Sequence, residues 1–121
     1  VKVQDGCNMF CSYCIIPYAR GRIRSRKIES VVSEIEKIAK EDIKEVVITG
    51  IHVASYGKDF DNENTSKKIR LIDLLEAINK IDGIDRIRLS SLEPTIVDEE
   101  FATRLSKLDK ICLYRVAVMK L

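Results

Sequence analysis

The sequence predicts an α/β fold with parallel strands, and two patterns support that prediction. Short runs suited to strands alternate along the chain with longer runs whose apolar residues recur at helical spacing. The joins between them are short, so each strand, helix and strand unit is expected to form a right-handed crossover with parallel strands. A third observation bounds the size, because 121 residues, of which 45% are hydrophobic, suffice for one domain with a substantial core.

Two strand, helix and strand units are predicted in succession. Their elements cover residues 1–5, 28–40, 45–49, 71–78 and 86–90. The run at 45–49 is short and β-branched, which predicts a buried strand, and Gly83 is expected to stop the second helix. A third helix should run from about Val97 to Lys107, where Thr95 and Asp98 resemble a capping box. The polar run over residues 58–68 predicts an exposed, mobile loop.

Parallel strands bring their carboxyl ends to one edge of a sheet, and α/β proteins place their functional residues at that edge. Cys7, His52 and Glu93 each follow a predicted strand, so the candidate site is expected there. A lone histidine beside a strand end is more often structural than catalytic, which is the reading favoured for His52. For Glu93 the alternatives are a functional contact, a cap on the next helix or an ion pair with Arg88.

Three cysteines, Cys7, Cys11 and Cys14, lie within eight consecutive positions. They cannot all pair among themselves, and their spacing lets one loop turn the sulfurs toward a common point, so a metal cluster is favoured over disulfides. A [4Fe-4S] cluster offers four irons, hence three local thiolates leave one iron open for a substrate or cofactor. A three-cysteine zinc site and buried free thiols remain the alternatives. Cys112, at the start of the last apolar run, is expected in the core.

Positive charge is concentrated in residues 8–28, which contain no acid. Four arginines, called here the arginine strip, alternate along this segment: Arg20, Arg22, Arg24 and Arg26. In an extended segment they would line one side and suit phosphates, with RNA as the natural partner. A solvated loop is the alternative.

No apolar run approaches the roughly 20 residues that a membrane-spanning helix needs, and no secretory signal stands at the start. Clustered cysteines without such a signal predict a reducing, cytoplasmic location.

The segment GCNMFCSYCIIPYARGRIRSR, residues 6–26, resembles the cluster loop of radical S-adenosylmethionine (SAM) enzymes, whose CxxxCxΦC motif carries an aromatic residue before the third cysteine, here Tyr13. Its longer run is similar to the methylthiotransferase branch, as is TGIHVASYG at residues 49–57. The run RLSSLEP at residues 88–94 resembles the enzymes that modify threonylcarbamoyladenosine in tRNA. Branch members that act on isopentenyladenosine in tRNA or on a ribosomal protein are the alternatives.

This resemblance implies a parallel, partial TIM-type barrel of which the chain holds about the first three and a half βα units. Residues 1–121 would form the N-terminal part of a radical SAM core domain, without the N-terminal methylthiotransferase domain and its second cluster and without the C-terminal TRAM domain. From Cys112 the chain departs from the family pattern, which predicts a frame slip or a truncation. An open strand edge and an uncovered apolar inner face would then favour self-association.

The resemblance also implies roles for individual residues. Cys7, Cys11 and Cys14 would bind the [4Fe-4S] cluster, and the arginine strip would bind tRNA. Contacts to SAM are expected from Tyr13, Thr49, Gly50, Ser91 and Glu93. No catalytic residue is predicted.

The implied reaction begins when a donor such as flavodoxin or ferredoxin reduces the cluster, which cleaves SAM to a 5′-deoxyadenosyl radical. A hydrogen would leave C2 of the modified adenine, sulfur from the second cluster would replace it, and a second SAM would methylate that sulfur. This chain alone is expected to perform at most the first step. A non-enzymatic iron-sulfur or zinc-binding module is the remaining alternative.

Overall fold

The computed structural model describes residues 1–60 and 68–113. Strands and helices alternate along these residues, with short 3₁₀ turns over Val53–Ser55 and Pro94–Ile96. The strands are β1 (Lys2–Asp5), β2 (Arg24–Ser25), β3 (Glu45–Gly50), β4 (Arg86–Leu89) and β5 (Ile111–Leu113). The helices are α1 (Ile16–Arg20), α2 (Ile28–Lys40), α3 (Leu71–Asn79) and α4 (Glu99–Ser106). None of the helices in these residues is long and apolar enough to cross a membrane.

The five strands form one sheet in the order β2-β1-β3-β4-β5. Strands β1, β3, β4 and β5 are parallel to one another, whereas the two-residue β2 runs antiparallel to β1. A mostly parallel sheet with helices between successive strands is the arrangement of the first part of a TIM-type barrel. The predicted fold class is therefore confirmed.

The helices cover one face of the sheet. Val46 and Ile48 of β3 and Ile87 of β4 point toward the helices and are at most 4% exposed. Val47, on the opposite face of β3, is 36% exposed, so this strand is buried on one face among the described residues. The helices contribute a fully buried set: Val31, Ile35, Leu71, Ile72, Leu74, Leu75, Ile78 and Phe101.

The uncovered face of the sheet is mainly polar. Its register places Glu45 beside Arg86 and Val47 beside Arg88, and the Glu45 carboxylate accepts hydrogen bonds from Arg86 at 3.4 Å and Arg88 at 3.1 Å. The expectation of an apolar inner face is thus wrong, while self-association stays a prediction. Cys112 lies opposite Arg88 on the edge strand β5 and is exposed. Its predicted core position is wrong because it belongs to the face that no described element covers.

Helix α4 begins two residues later than predicted. The Asp98 carboxylate accepts a hydrogen bond from the Phe101 amide at 2.7 Å and is itself the N-cap. This bond, followed by the ion pair with Arg70, holds the pKa of Asp98 below its usual value. The capping box predicted at Thr95 is wrong, because Pro94–Ile96 forms a separate 3₁₀ turn before the helix.

Helix α3 ends at Asn79, before the predicted stop. Gly83 lies in the turn toward β4 with a φ of +92°, so it supports the turn and not the helix end. Residues 61–67 of the predicted mobile loop lie outside the described residues, and so do residues 114–121, on which most of the predicted departure from the family pattern falls.

Candidate metal centre

The cluster loop, residues 6–26, leaves the carboxyl end of β1 and is closed at its base. Gly6 has a φ of +73°, and a Cβ there would lie 2.0 Å from the carbonyl oxygen of Arg22. Only glycine fits such an approach of two backbones. One residue further on, the Cys7 amide donates to the Gly21 carbonyl at 3.1 Å. The two ends of the loop therefore lie side by side where β1 ends.

Asp5 strengthens this base electrostatically. Its carboxylate accepts hydrogen bonds from Lys2 Nζ at 2.7 Å and the Gly6 amide at 2.8 Å. The guanidinium groups of Arg24 and Arg20 lie 3.5 Å and 3.8 Å away. The bond from Lys2, and then that from Gly6, lowers the pKa of Asp5. One carboxylate thus connects β1 to both sides of the returning chain.

The three predicted ligands, Cys7, Cys11 and Cys14, are half-buried free thiols. The Cys14 amide donates to the Cys11 carbonyl at 3.0 Å, and the Met9 amide points to the Cys7 sulfur at 3.5 Å. Within residues 1–60 and 68–113, no three His, Cys, Asp or Glu side chains gather closely enough to hold a single metal ion. A [4Fe-4S] cluster requires less convergence because each thiolate binds a different iron. Three free thiols on one loop, with an amide donated to sulfur, fit that group.

Exposed apolar side chains surround the cysteines. Phe10, Tyr13, Ile15 and Tyr18 are between 52% and 74% exposed. The rings of Phe10 and Tyr18 meet edge to face with centroids 5.8 Å apart. Tyr13, predicted to contact SAM, therefore presents its side chain to solvent immediately before the third cysteine.

The arginine strip is interrupted. Its first member ends helix α1, and its last, Arg26, donates to Glu34 at 2.6 Å. The two between them, Arg22 and Arg24, are exposed on either side of the buried Ile23. The prediction that four arginines line one side is wrong in its geometry, because a helical turn replaces the extended chain at the start of the strip. Its proposed role in RNA binding stays a prediction.

His52, just beyond β3, is hydrogen-bonded through both ring nitrogens. Nδ1 meets the hydroxyl of the buried Ser55, and Nε2 lies 2.6 Å from Oε2 of Glu93. The two structural alternatives for Glu93, a helix cap and an ion pair with Arg88, are both wrong. Its side chain makes no capping hydrogen bond, and Arg88 pairs with Glu45. His52 therefore joins the loops that follow β3 and β4.

Gln4 extends this network to the cluster loop, and sequence reasoning missed it. Its buried side chain accepts a hydrogen bond from the His52 amide at 2.8 Å and donates to the Gly6 carbonyl at 2.6 Å. Gly50 lies against it, because a Cβ at residue 50 would be 2.7 Å from Gln4 Oε1. The sequence offered no signal for it, because Gln4 falls at a polar position of the alternating run over residues 1–5.

The other predicted SAM contacts lie along the same edge. Thr49 precedes Gly50 at the end of β3, and its amide donates to the Val1 carbonyl at 2.9 Å. Ser91 is exposed, two residues before Glu93. The structure brings Gly50 to Gln4 and Glu93 to His52, whereas Tyr13 and Ser91 have side chains open to solvent.

A cleft of about 730 Å³ opens beside His52 and Glu93. Its lining mixes apolar, basic and acidic side chains: Tyr56, Phe60, Ile69, Ile96, Lys58, Lys68, Arg70 and Asp98. Tyr56 is held by a hydrogen bond from its hydroxyl to the Arg26 carbonyl at 2.6 Å, and burial raises its pKa. The cleft therefore borders the carboxyl edge of the sheet.

A parallel α/β sheet whose first strand runs into a three-cysteine loop defines the core of an iron-sulfur enzyme of the barrel class. The model of the Radical SAM superfamily matches residues 1–118. The chain belongs to that superfamily, whose cofactors are a [4Fe-4S] cluster and SAM.

Relatives extend the resemblance found in the sequence. The chain is 45% identical over 112 residues to a tRNA-2-methylthio-N(6)-dimethylallyladenosine synthase of Natranaerobius thermophilus, covering 93% of this chain and 24% of that protein. It is 40% identical over 111 residues to the threonylcarbamoyladenosine tRNA methylthiotransferase MtaB of Bacillus subtilis, covering 92% and 24%. The chain therefore spans about a quarter of the length of these curated relatives.

A solved structure agrees with the fold. The radical S-adenosylmethionine methyltransferase TsrM of Kitasatospora setae, determined with cobalamin and a [4Fe-4S] cluster bound, superposes with a TM-score of 0.69 at 25% identity. The match covers 95% of this chain and 21% of that one.

Proposed function

We propose that this chain is the N-terminal part of the radical SAM core of a cytoplasmic tRNA methylthiotransferase. The observation that carries the proposal is the closed cluster loop, which presents three free cysteines at the carboxyl edge of a parallel sheet. The methylthiotransferase names of relatives at 40% and 45% identity support the branch. The remaining domains of such an enzyme, one holding a second [4Fe-4S] cluster, would complete the reaction.

In this proposal Cys7, Cys11 and Cys14 hold a [4Fe-4S] cluster. When bound and reduced by a small electron carrier such as flavodoxin or ferredoxin, the cluster supplies the electron for reductive cleavage of SAM. The chain's own residues bind and orient SAM, exclude water and bring the target C–H within about 3–3.5 Å. The orienting contacts proposed are Tyr13, Thr49, Gly50, Ser91 and Glu93.

The substrate proposed is N6-threonylcarbamoyladenosine in tRNA, methylthiolated at C2. The run RLSSLEP supports it, and so does the cleft beside Glu93. Lys58 and Lys68 line that cleft, and cations suit the carboxylate of a threonylcarbamoyl group. The alternative, an isopentenyl-type adenosine, is favoured by the name of the relative that is 45% identical.

Anaerobic reconstitution tests the cluster. About four irons per chain are expected, and Ala at Cys7, Cys11 or Cys14 should abolish iron binding. Cys112→Ala is the matched control, because this exposed thiol lies on β5 outside the cluster loop. Full iron content in a variant lacking all three loop cysteines, or a colourless zinc protein, would contradict the assignment.

The substrate is tested in the full-length enzyme that contains this segment. Purified tRNA carrying threonylcarbamoyladenosine and tRNA carrying isopentenyladenosine are offered in parallel, and methylthio products are measured by nucleoside mass spectrometry. Product from the first tRNA alone is expected. Product from the isopentenyl tRNA alone would show that isopentenyladenosine is the substrate, and it would leave the cluster assignment unchanged.

A further inference from the structure

The tip of the cluster loop carries an unusual concentration of exposed apolar surface. Five of the large hydrophobic side chains exposed among the described residues fall within ten consecutive positions: Met9, Phe10, Tyr13, Ile15 and Tyr18. The others, Ile43, Val47 and Val97, are scattered singly. Clustered exposure of this kind marks an interaction surface.

Two of the five are aromatic rings in contact, and a hydrogen-bonded helical turn presents one of them. Tyr18, 74% exposed, lies on α1, while the neighbouring Pro17 is buried. The Gly21 amide donates to the Pro17 carbonyl at 3.1 Å, which holds this helical turn against the base of the loop. The rings of Phe10 and Tyr18 meet at an interplanar angle of 82°, a T-shaped contact that can cover at most one of the two faces of the Tyr18 ring.

Uncompensated positive charge follows the aromatic pair. Arg22 makes no ion pair with any residue in 1–60 or 68–113, and it is exposed. Arg20 and Arg24 share the single carboxylate of Asp5 with Lys2, so three cations face one anion. The segment therefore keeps a net positive charge after its internal pairing.

We propose that the loop tip is a stacking platform for an unpaired stretch of RNA. A nucleobase would stack on Tyr18 beside Phe10, and Arg22 and Arg24 would bind the adjoining phosphates. Exposed aromatics beside arginines form the standard arrangement for single-stranded RNA, because every base has a stackable face and every nucleotide a charge. The choice of RNA as the polymer rests on the proposed function.

The dimensions agree with this assignment. Tyr18 and Arg22 are four positions apart, which limits their backbone distance to about 14 Å. Each strand of a B-form duplex carries one phosphate per about 3.4 Å of helix axis, so about 14 Å corresponds to the length of a few nucleotides. The aromatic pair and the arginines can therefore meet neighbouring nucleotides of the same strand. A purely apolar protein surface would leave the charge of Arg22 unmatched.

Binding of fluorescein-labelled oligo(A) to the reconstituted full chain tests the platform. Tyr18→Ala should weaken binding about tenfold, since one stacked base contributes on that scale, while Tyr18→Phe should retain it. Ile43→Ala is the matched control, an exposed apolar residue outside the loop. Arg22→Ala should lower the salt slope by up to about one unit, and the exposed Arg86→Ala should leave it unchanged.

Iron content, measured on the same samples, separates the two proposals. Wild-type protein that binds no cluster would contradict the proposed function. Protein with a full cluster and equal oligo(A) affinity in wild type and Tyr18→Ala would overturn the platform alone. A Tyr18→Ala change in sedimentation without a change in RNA affinity would also overturn it, and would assign the surface to contact between copies of the chain.

Discussion

The helix-sheet layer and the cluster loop are stabilised in different ways. In the layer, helices and strands bury side chains such as Ile35, Leu74 and Phe101 completely. In the cluster loop only Gly6, Pro17 and Ile23 are buried, all of them in or next to its closed base. The layer can therefore hold its fold through apolar burial, whereas the tip of the loop depends on what it binds.

Hydrogen exchange should give the largest contrast. In the cluster-free protein, core amides of α2, α3 and β4 are expected to exchange only through global unfolding, with opening free energies of about 5 kcal/mol or more. Amides from Ser12 to Arg24 should exchange almost freely and gain protection when the cluster is reconstituted. Strong protection of that segment without iron would show that the loop is folded in the absence of the cluster.

Truncation of one side chain in each region is the next test. Phe101→Ala should lower the free energy of unfolding by about 3–5 kcal/mol, because it empties a fully buried site. Ile15→Ala, at a position that is 70% exposed, should change it by less than about 0.5 kcal/mol. Urea unfolding measures both, and similar losses would show that the tip packs more tightly than described.

Two glycine substitutions test whether the base of the loop is closed. Gly6→Ala and Gly21→Ala both place a side chain at positive φ, +73° and +76°, so each carries a backbone penalty of about 1–3 kcal/mol. Only at Gly6 would the new Cβ meet backbone, 2.0 Å from the Arg22 oxygen, whereas at Gly21 it meets the flexible end of Arg24 at 3.3 Å. Gly6→Ala should therefore be worse by about 1–3 kcal/mol and retain less iron. Equal behaviour would mean that the base is not closed as described.

The bond between His52 and Glu93, which joins the loops that follow β3 and β4, is expected to contribute less. A double-mutant cycle of His52→Ala and Glu93→Ala should give an interaction energy of about 1 kcal/mol. The matched cycle with Glu34 replacing Glu93 should give none, since Glu34 pairs with Arg26. Additive losses in the first cycle would remove the proposed connection.

Acid should produce the smallest effect. The pKa values of Asp5 in the loop base and Asp98 in the layer are both lowered, so each group stabilises the fold above its ordinary value of 3.8 and loses that contribution as the pH falls through its lowered folded pKa. Asp5→Asn and Asp98→Asn should each reduce the acid sensitivity of the urea midpoint. Asp82→Asn is the control, and an equal change there would show that general charge repulsion dominates.

The parallel layer could be predicted because apolar spacing is local information, as in the run that became α3. The short α1 and β2 could not, since elements of five and two residues are too short to show a period. Both depend on the turn at Gly21, which interrupts the extended segment assumed for the arginine strip. Cys112 was misplaced because an apolar run does not show which face of an edge strand is covered.

The candidate site divides in the same way. The three cysteines lie within one loop, so their spacing predicted a cluster without any knowledge of the fold. The contact between His52 and Glu93 joins residues 41 positions apart, and the one between Gln4 and His52 joins residues 48 apart. Such pairs emerge only when parallel strands bring their ends together.

The returning arm of the cluster loop also gives the sheet a direction of growth. β2 pairs with Gln4 and Asp5, and Arg26 covers the rest of that flank by donating to the carbonyls of Val3 at 2.9 Å and Lys2 at 3.0 Å. The outer side of β1 is thus already satisfied, while β5 forms the opposite flank of the described sheet. Further strands, from the same polypeptide or another, can therefore pair with β5. On the β1 side, β2 and Arg26 already occupy the hydrogen-bonding groups of the strand.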